Sequence, residues 1–135
     1  MNWYQSLLKN KKIEVPKKKK YYNKKTDFDG HSFPSKGHAA CYALLKLREK
    51  AGEIKILKCE DNIHLTEAKI LYIADFKCLD IKTNQEFWVE FKGFETPVWR
   101  IKRRLWQFYG PGTLEIYRAA RGSAVTVYLQ ETIKV

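Results

Sequence analysis

The sequence predicts an α/β domain, a central mixed sheet flanked by helices. Two observations carry this. From Tyr72 to Gly93, two runs rich in β-branched and aromatic residues flank a polar turn near Asp80 to Asn84, which is a strand–turn–strand signal. On either side of that hairpin lies a segment with helical periodicity and its own start and stop residues, Ser35 to Ala51 and Thr96 to Gly110.

In chain order, residues 1–25 read as a basic N-terminal arm. Trp3, Tyr4, Leu7 and Leu8 have helical spacing, but Lys9 to Lys25 holds nine lysines, one acid (Glu14) and Pro16. Like charges repel and proline interrupts a helix, so a flexible arm is expected. Lys17, Lys18, Lys19, Lys20, Lys24 and Lys25 would contact phosphates without reading sequence. Tyr21 and Tyr22 would stack on unpaired bases. Residues 26–135 then form one domain. Asp27, Asp29 and Gly30 make a turn. In the first helix Ser35 is the N-cap and Gly52 the stop, and Ala40, Leu44, Leu47 and Ala51 mark the buried stripe. Ile54 to Leu57 and Ile63 to Leu65 read as two short strands. Thr96-Pro97 opens the second helix, whose apolar stripe is Val98, Ile101, Leu105 and Phe108. Arg100, Arg103, Arg104 and Gln107 fall on its other side. Trp99 and Trp106 are expected to pack. Gly110-Pro111-Gly112 stops it. Leu114 to Arg118 is a strand. Ala124 to Ile133 alternates as a strand with one solvated face, a natural edge for a dimer.

The chain has 135 residues and a net charge of +11. That charge predicts attraction to a polyanion, with nucleic acid ahead of a membrane surface. No run approaches the length of a membrane span, and the lysine-rich start lacks an apolar signal core. Cys41, Cys59 and Cys78 are odd in number and widely spaced, which suits neither a disulfide scaffold nor a zinc site. A reducing, cytoplasmic setting is expected, with the cysteines as small core residues.

The chemistry concentrates in the hairpin. Side chains alternate along a strand, so Glu90 and Lys92 share one face while Val89 and Phe91 pack on the other. A hairpin brings Asp75 near Glu90. Two carboxylates suit Mg²⁺, which takes few protein ligands and fills its shell with water and phosphate oxygens. Lys92 would position an attacking water or offset developing charge.

Asp75 followed by Glu90-Phe91-Lys92 resembles the core motif of the PD-(D/E)XK nucleases, with Ala74 where that motif often has proline. Three pieces are similar to small phage and prophage proteins of unassigned function placed in that superfamily. They are Tyr22 to Thr26 with Phe28 to Gly30, Phe33 to Lys36 leading into Lys46 to Ile54, and Tyr72 to Phe76 with Glu90 to Gly93. The resemblance implies a restriction-endonuclease-like core and Mg²⁺- or Mn²⁺-dependent cleavage of DNA, in the host cytoplasm if phage-encoded. Asp75 and Glu90 would hold the metal with the Phe91 carbonyl, and Lys92 would orient water. Lys36, Arg100, Arg103 and Arg104 would extend the DNA-binding surface. Relatives that resolve Holliday junctions make branched DNA the narrower expectation, and a junction substrate would call for a homodimer. His38 stands where such families carry a helix glutamate. Imidazole suits Mn²⁺ better than Mg²⁺. His38 therefore contacts water or phosphate, or another carboxylate substitutes, or activity is weakened. The alternative function is nucleic-acid binding on the same fold with little or no cleavage.

Overall fold

The computed structural model describes residues 25–123 and 126–135. The expectations for the amphipathic Trp3–Leu8 stretch, for Lys17 to Lys20 and Lys24, for Tyr21 and Tyr22, and for Ala124 and Val125 lie outside the described residues. The chain forms a two-stranded ribbon, two helices and a five-stranded mixed sheet.

Strands β1 (Thr26–Phe28) and β2 (His31–Phe33) make the ribbon. Its turn is Asp29-Gly30, with φ of 52° and 74°, the positive pair that a two-residue hairpin needs. Helix α1 (Lys36–Lys50) follows, and Ser35 caps it by accepting a hydrogen bond from the His38 amide at 3.2 Å. The Tyr42 hydroxyl donates to Asp29 Oδ2 at 2.9 Å and ties the ribbon to the helix.

The buried side of α1 is Gly37, Ala39, Cys41, Tyr42 and Leu45, not the expected stripe. Leu47 is 65% exposed. The buried side wins because it admits aromatic rings. Phe91 lies directly under Gly37, and Tyr42 packs on Phe33 and Phe76. Ala40, Leu44 and Leu47 of the expected stripe line an open groove with Phe28 and Val127.

The main sheet runs β3 (Ile54–Leu65), β4 (Ile70–Asp80), β5 (Gln85–Phe91), β6 (Thr113–Ala119), β7 (Val127–Ile133). Neighbours are antiparallel except β5 and β6, which are parallel and joined through helix α2 (Pro97–Tyr109). A parallel pair requires such a crossover. The two short strands expected before the hairpin are one strand, β3. A register shift between Ile56 and Lys58 absorbs Leu57 and lets the ladder continue. A second shift, between Ile116 and Tyr117, inserts Gln130 into β7. It breaks the expected alternation there, and Tyr128 and Leu129 are both exposed.

Each face of the sheet carries one helix. Under α1 lie Phe76, Cys78, Phe87, Val89 and Phe91. Under α2 lie Tyr72, Ala74, Trp88, Leu114 and Ile116. Cys41 and Cys78 are buried and Cys59 half-buried, all three as free thiols. Helix α2 also turns against expectation. It buries Trp99 and Trp106, whereas Val98, Ile101 and Phe108 are 61%, 62% and 70% exposed. Two indoles at i and i+7 bury more area than the aliphatic stripe, and each finds a hydrogen bond: Trp99 Nε1 to the Tyr72 hydroxyl at 3.4 Å, Trp106 Nε1 to the Gly112 carbonyl at 2.8 Å. No described helix is long and apolar enough to cross a membrane.

One irregularity prepares the site. In a regular strand, residues two apart share a face. Yet Ala74 serves the α2 layer and Phe76 the α1 layer. Strand β4 therefore changes faces at Asp75. The neighbouring strand does the same: Cys59 packs on the α1 layer, while Asp61 accepts a hydrogen bond from Trp88 of the α2 layer at 2.8 Å. Between them Glu60 has φ 55°.

Candidate active site at the fork between β4 and β5

β4 and β5 pair from Asp80–Gln85 up to Phe76–Val89. At Asp75 the strands part. The next inter-strand bond comes from a side chain: the Phe91 amide donates to Asp75 Oδ2 at 2.7 Å. The fork holds Asp75 in place and opens the sheet beside it.

Glu90 closes the fork from β5. It is the one charged residue buried among the described residues, 4% exposed. Lys92 Nζ lies 2.9 Å from its Oε1 and 5.3 Å from the centre of the Trp99 ring. The Lys92 amide bonds to the Tyr117 carbonyl at 2.9 Å, which anchors the end of β5 on β6. Glu90 Oε2 is buried with no hydrogen-bond partner among the described residues. The Tyr72 hydroxyl and the Asp75 amide do lie close enough to favour the ionised carboxyl.

Burial pushes the Asp75 carboxyl well above the usual carboxylate range, and the charge of Glu90 pushes it further. Burial raises Glu90 as well, opposed by Lys92. The Asp75 carboxyl thus resists ionising beside a charged Glu90, a state that a nearby cation relieves.

His38 enters from the first turn of α1. Its Nε2 is 3.6 Å from Asp75 Oδ2, and its ring stands edge-on to Phe91 at 4.9 Å. Burial and the Lys92 charge lower its pKa to about 4, so the ring is neutral at pH 7 and its contact with Asp75 is not a salt bridge. Ser35 Oγ is 2.6 Å from His38 Nδ1. With Ser35 donating, Nε2 carries the proton and faces Asp75. With Nδ1 donating, Nε2 offers a lone pair.

Asp75, Glu90, Lys92, His38 and Phe91 are therefore gathered at one point, from two strands and a helix. The remaining candidates stand elsewhere. Lys25 and Lys36 are exposed. Arg104 is exposed, while Arg100 pairs with Glu95 at 3.4 Å and Arg103 with Glu131. The basic face of α2 is partly neutralised by its own neighbours. Two members of the neighbourhood have no signal in the sequence. Tyr72 reads as a core aromatic, and Glu60 falls between the two short strands expected there. Glu60 lines a cavity of about 230 Å³ together with His31, His38, Cys59 and Asp75.

No three His, Cys, Asp or Glu side chains among the described residues make a preformed metal cage. What is present fits an ion satisfied by two protein carboxylates plus water and substrate oxygens, as Mg²⁺ and Mn²⁺ are. The unpartnered, buried Glu90 Oε2 is the feature that fits such an ion.

The fold and this cluster define an α/β protein with a buried carboxylate pair and a lysine at a strand fork. The chain belongs to the family described as protein of unknown function (DUF1064), whose profile matches residues 18–129. Neither a curated protein nor a solved structure matches the chain.

Proposed function

We propose that this protein is a metal-dependent nuclease of the PD-(D/E)XK kind that hydrolyses phosphodiester bonds in DNA. The observation that carries the reading is the buried Glu90 carboxylate, bonded by Lys92 on one oxygen, without a hydrogen-bond partner among the described residues on the other, and close enough for its charge to raise the Asp75 carboxyl. Asp75 and Glu90 are the groups that would hold Mg²⁺ or Mn²⁺, with the Phe91 carbonyl as a further ligand. The bound ion would supply Lewis acidity, making coordinated water more acidic and offsetting charge on the phosphate.

The chain's own residues divide the remaining work. Asp75 is oriented by the Phe91 amide, so its second oxygen is left for a ligand. Lys92, lying over the Trp99 ring and tied to Glu90, would hold the attacking water and meet negative charge as it develops on the phosphate. His38 would contact that water or the phosphate as a neutral imidazole. The net charge of +11 and the lysines of residues 1–25 would draw DNA to the fork. Branched DNA is the narrower substrate and would be met by a homodimer.

Cleavage of linear, single-stranded, flapped and four-way DNA, measured in Mg²⁺ and in Mn²⁺, tests the reading. Wild type is expected to cut at least one of them, while Lys92→Ala and Asp75→Asn bind but do not cut. A second reading, DNA binding without efficient cleavage, is favoured by His38 standing where a helix carboxylate is expected. Binding without cleavage on every substrate and with both metals selects it.

A further inference from the structure

We infer that Glu60 is the third acidic group of this site, its carboxylate joining Asp75 and Glu90 around the divalent cation from β3 rather than from a helix. The inference rests on the nuclease reading above. Register places Glu60 abreast of Asp75, between the pairs Cys59–Phe76 and Asp61–Ala74. Both strands change faces at this level, so both acids leave the alternation that would bury them in one layer or the other. Glu60 does so through a φ of 55°, a left-handed conformation that is unfavourable for a residue with a Cβ. Its side chain is exposed, no cation pairs with it among the described residues, and it faces the cavity that His38 and Asp75 line from the other side.

Charge balance gives the argument its direction. Three carboxyl groups, Asp75, Glu90 and Glu60, stand near one amine, Lys92. Ionised, the group carries two uncompensated negative charges, the number that one divalent cation cancels. Glu90 Oε2, buried and without a hydrogen-bond partner among the described residues, is an independent feature that a cation would satisfy. An exposed carboxylate at the mouth of the cavity can rotate onto an arriving ion without disturbing the core.

Calorimetric titration of the full chain with Mn²⁺ alone tests this. Wild type should bind, Asp75→Asn should not, and Glu60→Gln should bind about tenfold or more weakly. Glu60→Gly relaxes the left-handed backbone, so it should melt at or above wild type in EDTA yet show the same weakened binding. Glu67→Gln, in the exposed turn beyond β3, should match wild type. Unchanged affinity in both Glu60 variants, with Asp75→Asn still inactive in binding, overturns the role of Glu60 and leaves the nuclease reading standing. A wild-type chain that binds no Mn²⁺ overturns both.

Discussion

Replacing Gly37 with alanine presses directly on the site from beneath. A Cβ at Gly37 would lie 2.2 Å from Phe91 Cζ and 2.4 Å from Cε1, where carbon atoms rest at about 3.5–4.0 Å. The Phe91 ring must therefore retreat by more than 1 Å, roughly the difference between those distances. It is buried between α1 and the sheet and has little space to enter. Overpacking of this kind costs about 1–3 kcal/mol. The better helix propensity of alanine offsets up to about 1 kcal/mol of that. A net loss of about 1–2 kcal/mol follows, and at about 3–5 °C per kcal/mol, between the values for smaller and larger domains, the melting temperature should fall by roughly 3–10 °C. The displacement also reaches the amide that orients Asp75, so Mn²⁺ affinity should drop in parallel. Thermal unfolding by circular dichroism and Mn²⁺ titration read the two effects. A variant that melts at or above wild type refutes the packing argument. One that is destabilised but binds Mn²⁺ normally breaks the link between Phe91 and Asp75.

Glu90→Gln removes a desolvated charge beside Asp75 but leaves Lys92 without its partner, and should abolish the rise in melting temperature that Mn²⁺ produces; thermal unfolding in EDTA and in Mn²⁺ reads the loss. His38 titrates near pH 4 in the folded chain and near 6.5 unfolded, so its stabilising contribution is complete above pH 6.5 and is lost as pH falls through 4, up to about 3 kcal/mol. The raised carboxyls of Asp75 and Glu90 act oppositely, their penalty disappearing as pH falls, so the comparison is wild type against His38→Gln, whose curves should diverge between pH 6.5 and 4; parallel curves exclude the histidine. Deleting residues 1–20 should weaken DNA binding and flatten its dependence on salt, and an unchanged slope in a filter-binding series removes the arm from the interface.

Features that depend on local chemistry were legible in the sequence. Ser35 as a cap, the Asp29-Gly30 turn, the Asp80 to Asn84 turn and the packing of Trp99 and Trp106 all follow from what those residues do to the chain beside them. Features decided by competition across the fold were not. Two stripes on each helix have the right period, and tertiary partners chose between them. Phe91 beneath Gly37 selected one on α1, and two indoles with hydrogen-bond partners selected one on α2. Within the site, alternation placed Glu90 with Lys92 and away from Val89 and Phe91. It could not foresee that β4 changes faces at Asp75, nor that Glu60 takes a left-handed φ beside it. Those follow from two strands parting company, which no local pattern encodes.

The exchange of faces along β4 has a mechanical result. Tyr72 and Ala74 plug one apolar layer and Phe76 and Cys78 the other, so β4, beside β5 with Trp88 in one layer and Val89 in the other, is a rivet through both halves of the protein. Neither layer can loosen while β4 stays seated, and both open once it leaves. Amide hydrogens along β4 should accordingly be the slowest to exchange with deuterium, and the layers on the two sides should lose protection at the same denaturant concentration.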